Sequence, residues 1–246
     1  MLWVEYQKKY QLVMEDLKSA RRSLSEKQFE KVCSTSRETL CALLGDIELV
    51  LEIDRMLRKE PEVALEVGEK FYELGYVPER AYDAVLYAGI HEKCPDANRV
   101  FIEPCVETFG HRKVMTDLLD AFQMGTNTEK AGVADALYWV EPGRTYIGKI
   151  IPENETEESK ALNASLEDLI ERKKTLFLSE FVKNEDVQVR RCLVPFLLSR
   201  TYSEDLKPLA EKACEIALCH PDKYIHERAC YDLGLHETIP YRPDRT

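Results

Sequence analysis

At 246 residues, with 44% hydrophobic and 32% charged side chains, the chain is long enough to bury a substantial core and carries more charge than the roughly 25% usual in globular proteins. Only ten glycines occur, which disfavours a turn-rich β protein, and no stretch approaches the roughly 18 apolar residues of a membrane span. The formal net charge of −11 sits mainly in residues 60–140, which hold 15 acidic and 7 basic side chains; a field of that sign repels phosphate backbones, so no nucleic-acid partner is expected.

In chain order, Met1 to Arg22 places Leu2, Tyr6, Tyr10, Val13, Met14 and Leu17 at spacings of three and four, one face of an amphipathic helix. Glu5, Lys8 and Lys9 interrupt that segment, so it lacks the apolar core of a signal peptide and a cytoplasmic protein is expected. Ser23-Leu24-Ser25-Glu26 has the spacing of a capping box and predicts a short helix through Phe29, Val32 and Cys33. Thr35-Ser36-Arg37-Glu38 repeats the spacing and predicts a longer helix burying Leu40, Leu44, Ile47, Leu51 and Met56. Residues 1–59 are read as N-terminal capping helices.

From Glu60 an acidic helix start followed by an apolar stripe recurs. Glu60-Pro61-Glu62-Val63 leads into Ala64 to Gly75, Cys94-Pro95-Asp96 into Ala97 to Gly110, and Asn127-Thr128-Glu129-Lys130 into Ala131 to Val140. Asn184-Glu185-Asp186 leads into Val187 to Leu198, and His220-Pro221-Asp222-Lys223 into Tyr224 to Gly234. Aligned without gaps, the copies at 127 and 220 place Lys130 on Lys223, Ala136 on Ala229 and Tyr138 on Tyr231. Pro61, Pro95 and Pro221 each suit the first helical position, where a missing N–H costs nothing. Second helices are predicted at Pro78 to Glu92, His111 to Met124, Ser165 to Val182 and Ser203 to Cys219. Starts at 61, 95, 128, 185 and 221 lie 34, 33, 57 and 36 residues apart, and periods in the thirties belong to helical solenoids. The long interval contains a polar insertion, 141–164, read as a loop between the repeats of 60–140 and those of 165–246.

The segments Asp186-Val187-Gln188-Val189-Arg190 and Asp222-Lys223-Tyr224-Ile225-His226-Glu227-Arg228-Ala229 resemble the Asp-x-x-Val-Arg-x-x-Ala helix of HEAT-like repeats, while the copies at Glu62 and Asp96 lack the Arg. The resemblance spans roughly 60–234 and implies an all-α superhelix of helical hairpins in one continuous domain, with Asp186, Arg190, Asp222 and Arg228 tying neighbouring repeats. Proteins of this kind are mostly scaffolds that bind partners along a concave face lined by the second helices. A minority are enzymes, among them DNA glycosylases and bilin lyases.

On the second helices, Arg80, Asp83, Tyr87 and His91 share the side opposite Ala81, Val85 and Ala88, and Arg112, Lys113, Thr116, Asp117 and Asp120 share the side opposite Val114, Leu118 and Phe122. Tyr87 is the natural anchor, since aromatics beside charges are enriched at binding hot spots. The expected partner-binding set is therefore Arg80, Asp83, Tyr87, His91, Arg112, Asp117 and Asp120. Cys214, Cys219, His220, His226, Cys230 and His236 could all ligate zinc but form no Cys-x-x-Cys or His-x-x-x-His pair, so burial rather than metal binding is expected of them. All eight cysteines are read as reduced. Phosphate-binding glycine loops, Gly-x-Ser-x-Gly and His-Glu-x-x-His are missing, so no catalytic residue, metal or cofactor is expected. Composition and resemblance together predict a non-enzymatic scaffold whose acidic surface attracts a basic protein, in one form an immunity-type inhibitor of a basic toxin.

Overall fold

The computed structural model describes residues 2–23, 25–141, 157–198 and 202–235, whose regular structure is all helical, with no strand among them. They fall into two units, 1–114 and 115–246. The boundary lies inside a helix rather than in the 141–164 segment. Residues 142–156 of that segment lie outside the described residues, while Glu157–Ser165 forms a helix.

The first unit contains α1 (Trp3–Ser23), α2 (Glu26–Leu43), α3 (Ile47–Lys59), α4 (Pro61–Leu74), α5 (Tyr82–His91) and α6 (Arg99–Phe109), together with the start of α7 (His111–Met124). The buried face of α1 is Trp3, Tyr6 and Tyr10, whereas Leu2 stays 56% exposed. The helix α2 runs unbroken through Thr35, whose hydroxyl donates to the Lys31 carbonyl one turn back instead of opening a new helix. Its N-terminal box lies two residues later than predicted, with the Ser25 N–H and hydroxyl both donating to Gln28 Oε1. The break falls at Gly45, and Asp46 caps α3 by accepting from the Leu49 N–H. This break rephases the apolar row. Leu49, Val50, Ile53, Met56 and Leu57 are buried, and the expected core residues Ile47 and Leu51 face out.

Helix α4 begins at Pro61, as the repeat start predicts, and ends at Gly75, whose φ of 56° is the left-handed geometry that a side chain resists. A 3-10 turn, Glu79–Ala81, leads into α5. Helix α6 starts at Arg99, four residues after Pro95, because a turn closed by Ala97 and Asn98 N–H groups on the Cys94 carbonyl precedes it. Gly68 of α4 and Gly89 of α5 let both helices approach α6 closely. A Cβ at Gly68 would lie 2.5 Å from the Phe101 ring, and one at Gly89 would lie 2.8 Å from Ile102. Helical glycines cost about 1 kcal/mol each, and here the cost is offset by burial of Phe101 and Ile102, about 1.5–3 kcal/mol apiece.

The second unit contains the rest of α7, α8 (Asn127–Leu137), α9 (Glu157–Ser165), α10 (Glu167–Lys183), α11 (Val187–Leu193), α12 (Lys207–Leu218) and α13 (Lys223–Asp232). Thr126 caps α8 in a box with Glu129, and Asp186 and Asp222 cap α11 and α13. Pro221 precedes that last cap, so it is not the first helical residue. Pro195, lacking an N–H, turns the end of α11 into a 3-10 turn, Val194–Phe196. Phe122, Phe177 and Phe196 form a run of rings with centroids 4.8 and 5.6 Å apart.

Within the first unit α4 and α5 both pack on α6, and α3 packs on both α4 and α5. Within the second unit α8 packs on α11, α11 on α13, and α12 on both α10 and α13. A ladder of side chains runs along the second unit's first helices: Asn127 donates to Asp186 at 3.3 Å, and Arg191 grips Asp222 through Nε and Nη2, the shorter bond being 2.7 Å. The arginine of this tie is Arg191, not the expected Arg190. Arg190 turns back onto the Phe181 carbonyl at 3.1 Å, and Arg228 pairs with Asp232 on its own helix.

Candidate partner-binding face

Helix α5 buries nearly its whole circumference, with Tyr82, Ala84, Val85, Leu86, Ala88, Gly89 and Ile90 all inside. What remains is a stripe at intervals of four: Asp83 and His91 are exposed and Tyr87 is half-buried between them. The Tyr87 and His91 rings stack with centroids 3.9 Å apart and planes 25° from parallel. A hydrogen bond of 2.8 Å from His91 Nδ1 to the Tyr87 carbonyl fixes the imidazole in that stack. The Arg58 guanidinium of α3 lies 5.0 Å above the Tyr87 ring and is itself held by Asp54, 3.1 Å away and one turn earlier. Arg80 is exposed on the 3-10 turn that precedes α5.

The result is a surface assembly of one carboxylate, one guanidinium, one phenol and one imidazole whose side chains contact one another. Preorganisation of this kind lowers the entropy lost on binding, which is about 0.5–1.5 kcal/mol for each side chain immobilised. The sequence does not reveal the role of Arg58, because its partner ring is on a different helix and helical periodicity carries no information across helices.

The same combination recurs in the first unit. Lys70 lies 4.7 Å over the Tyr10 ring and 3.2 Å from Glu73, which also accepts from the Tyr10 hydroxyl. Arg99 lies 5.4 Å over the Tyr72 ring and 2.7 Å from Glu103. Tyrosine, cation and acid therefore repeat as a packing unit, with Tyr72 and Tyr87 reaching the surface.

The structure divides the remaining expected site residues. Arg112 is exposed at the start of α7, in the first unit, where its neighbour Lys113 lies 4.4 Å over the Tyr82 ring. Asp117 and Asp120 belong to the second unit. Asp117 is half-buried, and the Asp120 carboxylate is gripped by Arg172 at 2.6 Å, with Gln123 completing the contact at 3.1 Å. Asp120 is thus engaged within its own unit.

Two buried titratable pairs lie in the second unit. Burial pushes the Asp135 carboxyl of α8 up to about 6, and a thiol hydrogen bond from Cys192 of α11, 3.8 Å away, acts in the opposite sense. Burial first, then the Asp135 charge, pushes the Cys192 thiol up to about 12. Lys173 of α10 is buried among Phe177 and Phe196 and forms an ion pair with Glu141; burial pushes its ammonium down to about 7, with Lys174 adding to the shift. Among the described residues no group of three or more candidate metal ligands gathers round one point, and all eight cysteines are free. Of the expected zinc-competent group, Cys230 and His226 come together, whereas His236 lies outside the described residues.

No protein-family model matches the chain, and neither a curated protein nor a solved structure is significantly similar to it. Among the described residues no helix is long and apolar enough to cross a membrane.

Proposed function

We propose that the chain is a non-enzymatic, cytoplasmic protein-binding scaffold, a right-handed superhelix of HEAT-like hairpins that docks a partner with a basic surface. The packing of the helices that open successive repeats, α4 on α6, α8 on α11 and α11 on α13, supports the repeat reading, as does the ladder from Asn127 through Asp186 and from Arg191 to Asp222. The observation that carries the functional reading is the Arg58–Tyr87–His91 stack, an aromatic and charged group formed by α3 and α5 in the first unit. Tyr and Arg dominate binding hot spots because they combine large contact area with polar ends. Asp83 on the same stripe supplies the attraction for a basic surface, in keeping with the acidic excess of residues 60–140, while Asp54 is paired with Arg58. In one form the partner is a basic toxin whose working surface the scaffold covers.

Affinity capture with the wild-type chain and with Tyr87→Ala, each at low and high salt, tests the reading. A basic protein retained by the wild type at low salt, released at high salt and missed by Tyr87→Ala supports it. Equal capture by both chains removes Tyr87 from the interface, and recovery of nucleic acid or a small molecule in place of a protein favours an enzyme such as a glycosylase or lyase.

A further inference from the structure

We propose that His226 and Cys230 of α13 form a two-ligand half-site for a soft divalent cation such as Zn2+ or Cd2+. The residues are four apart on one helix and so share a face, with His226 exposed and Cys230 half-buried. His226 Nδ1 lies 2.6 Å from the Leu218 carbonyl, so Nδ1 carries the proton and the Nε2 lone pair is left outward. Anchoring of the second ring nitrogen by a carbonyl is the usual support of a metal-bound histidine. Nε2 lies 3.6 Å from Cys230 Sγ. Metal–sulfur and metal–nitrogen bonds of about 2.3 and 2.0 Å at a tetrahedral angle place the two donor atoms about 3.5 Å apart, so a cation fits between them with little movement.

The neighbours do not complete the shell. His220 Nδ1 already accepts from the Asp222 N–H at 3.0 Å, and burial pushes the Cys214 thiol up, away from the thiolate a metal needs. The other coordination positions therefore go to water or to a ligand brought by another molecule. Binding replaces the Cys230 S–H bond with a sulfur–metal bond and releases one proton to solvent, while neutral Nε2 donates its lone pair; no electrons are transferred.

Titration of the full chain with Cd2+, read by the ultraviolet thiolate-to-metal absorption and by proton release into weak buffer, tests this. The wild type is expected to take up one Cd2+ more tightly than its other thiols do, with one proton released. Cys230→Ser and His226→Gln should each weaken that step by about tenfold or more, the usual consequence of losing part of a metal's surroundings. His226→Cys, which restores a ligand at the same position, should recover it. A His226→Gln titration that superimposes on the wild type overturns the proposal, as does loss of the step in His226→Cys.

Discussion

Replacing Asp135 by Asn should stabilise the protein at neutral pH and leave it unchanged in acid. The Asp135 carboxyl lies where α8 packs on α11, largely removed from water, and the Cys192 thiol is its hydrogen-bond donor there. Burial raises it from 3.8 to about 6. Because the folded state holds the proton more tightly than the unfolded chain, this group's contribution is fully present below pH 3.8. It is lost as pH rises to about 6 and stays lost above that. A rise of that size corresponds to about 3 kcal/mol, and since Asp135 is only partly enclosed we expect about 2 kcal/mol in practice. Asn keeps the shape and the acceptor but never ionises, so it removes the penalty. Urea unfolding of the wild type and Asp135→Asn at pH 3 and pH 7 gives the comparison. The two should coincide within error at pH 3, below the unfolded value of 3.8, and separate by about 2 kcal/mol at pH 7, with the Asn variant more stable. A separation that is the same at both pH values would show that burial is not what raises the carboxyl, and the reasoning would fail.

Gly68→Ala should destabilise the first unit by about 1–3 kcal/mol, because the new Cβ meets the Phe101 ring and Val100 across the α4–α6 contact; denaturant unfolding reads this directly. Asp222→Ala should cost about 1 kcal/mol for the lost cap of α13, plus up to about 1 kcal/mol for the exposed pair with Arg191, and a double-mutant cycle with Arg191→Ala separates the two. Since the Arg191 hydrogen bond holds the Asp222 carboxyl below its ordinary 3.8, the coupling should be present at neutral pH and fade as pH falls through and below that value. Tyr87→Ala should cost about 1 kcal/mol of stability for the lost His91 and Arg58 contacts, and should weaken partner binding by about 2 kcal/mol, roughly thirtyfold, in a titration of folded protein against the captured partner.

The helical class and most of the helices could be read from spacing, because an apolar row at intervals of three and four leaves little choice of period. The phase of that row was lost where the chain breaks. Leu40 and Leu44 are buried as expected, but the spacing runs on unbroken across Gly45 and Asp46, where α2 ends and α3 begins, and Ile47 and Leu51 beyond them face solvent. The ties between helices are half legible: Asp186 and Asp222 are the caps, yet adjacent arginines point about 100° apart on a helix, and only packing decides that Arg191 rather than Arg190 reaches Asp222 at the start of α13. Within the candidate face, the order of Asp83, Tyr87 and His91 on α5 followed from periodicity. Arg58, which completes the stack, and Arg172, which engages Asp120, are non-local, and no pattern along one helix reveals them.

The most direct test of the scaffold reading is a capture experiment on the full chain at two salt concentrations, run in parallel for the wild type, Tyr87→Ala and Arg58→Ala. The account predicts a single basic protein bound by the wild type at low salt, lost at high salt, and strongly reduced in both variants. Undiminished capture by both variants, or a bound species that salt does not release, would contradict it.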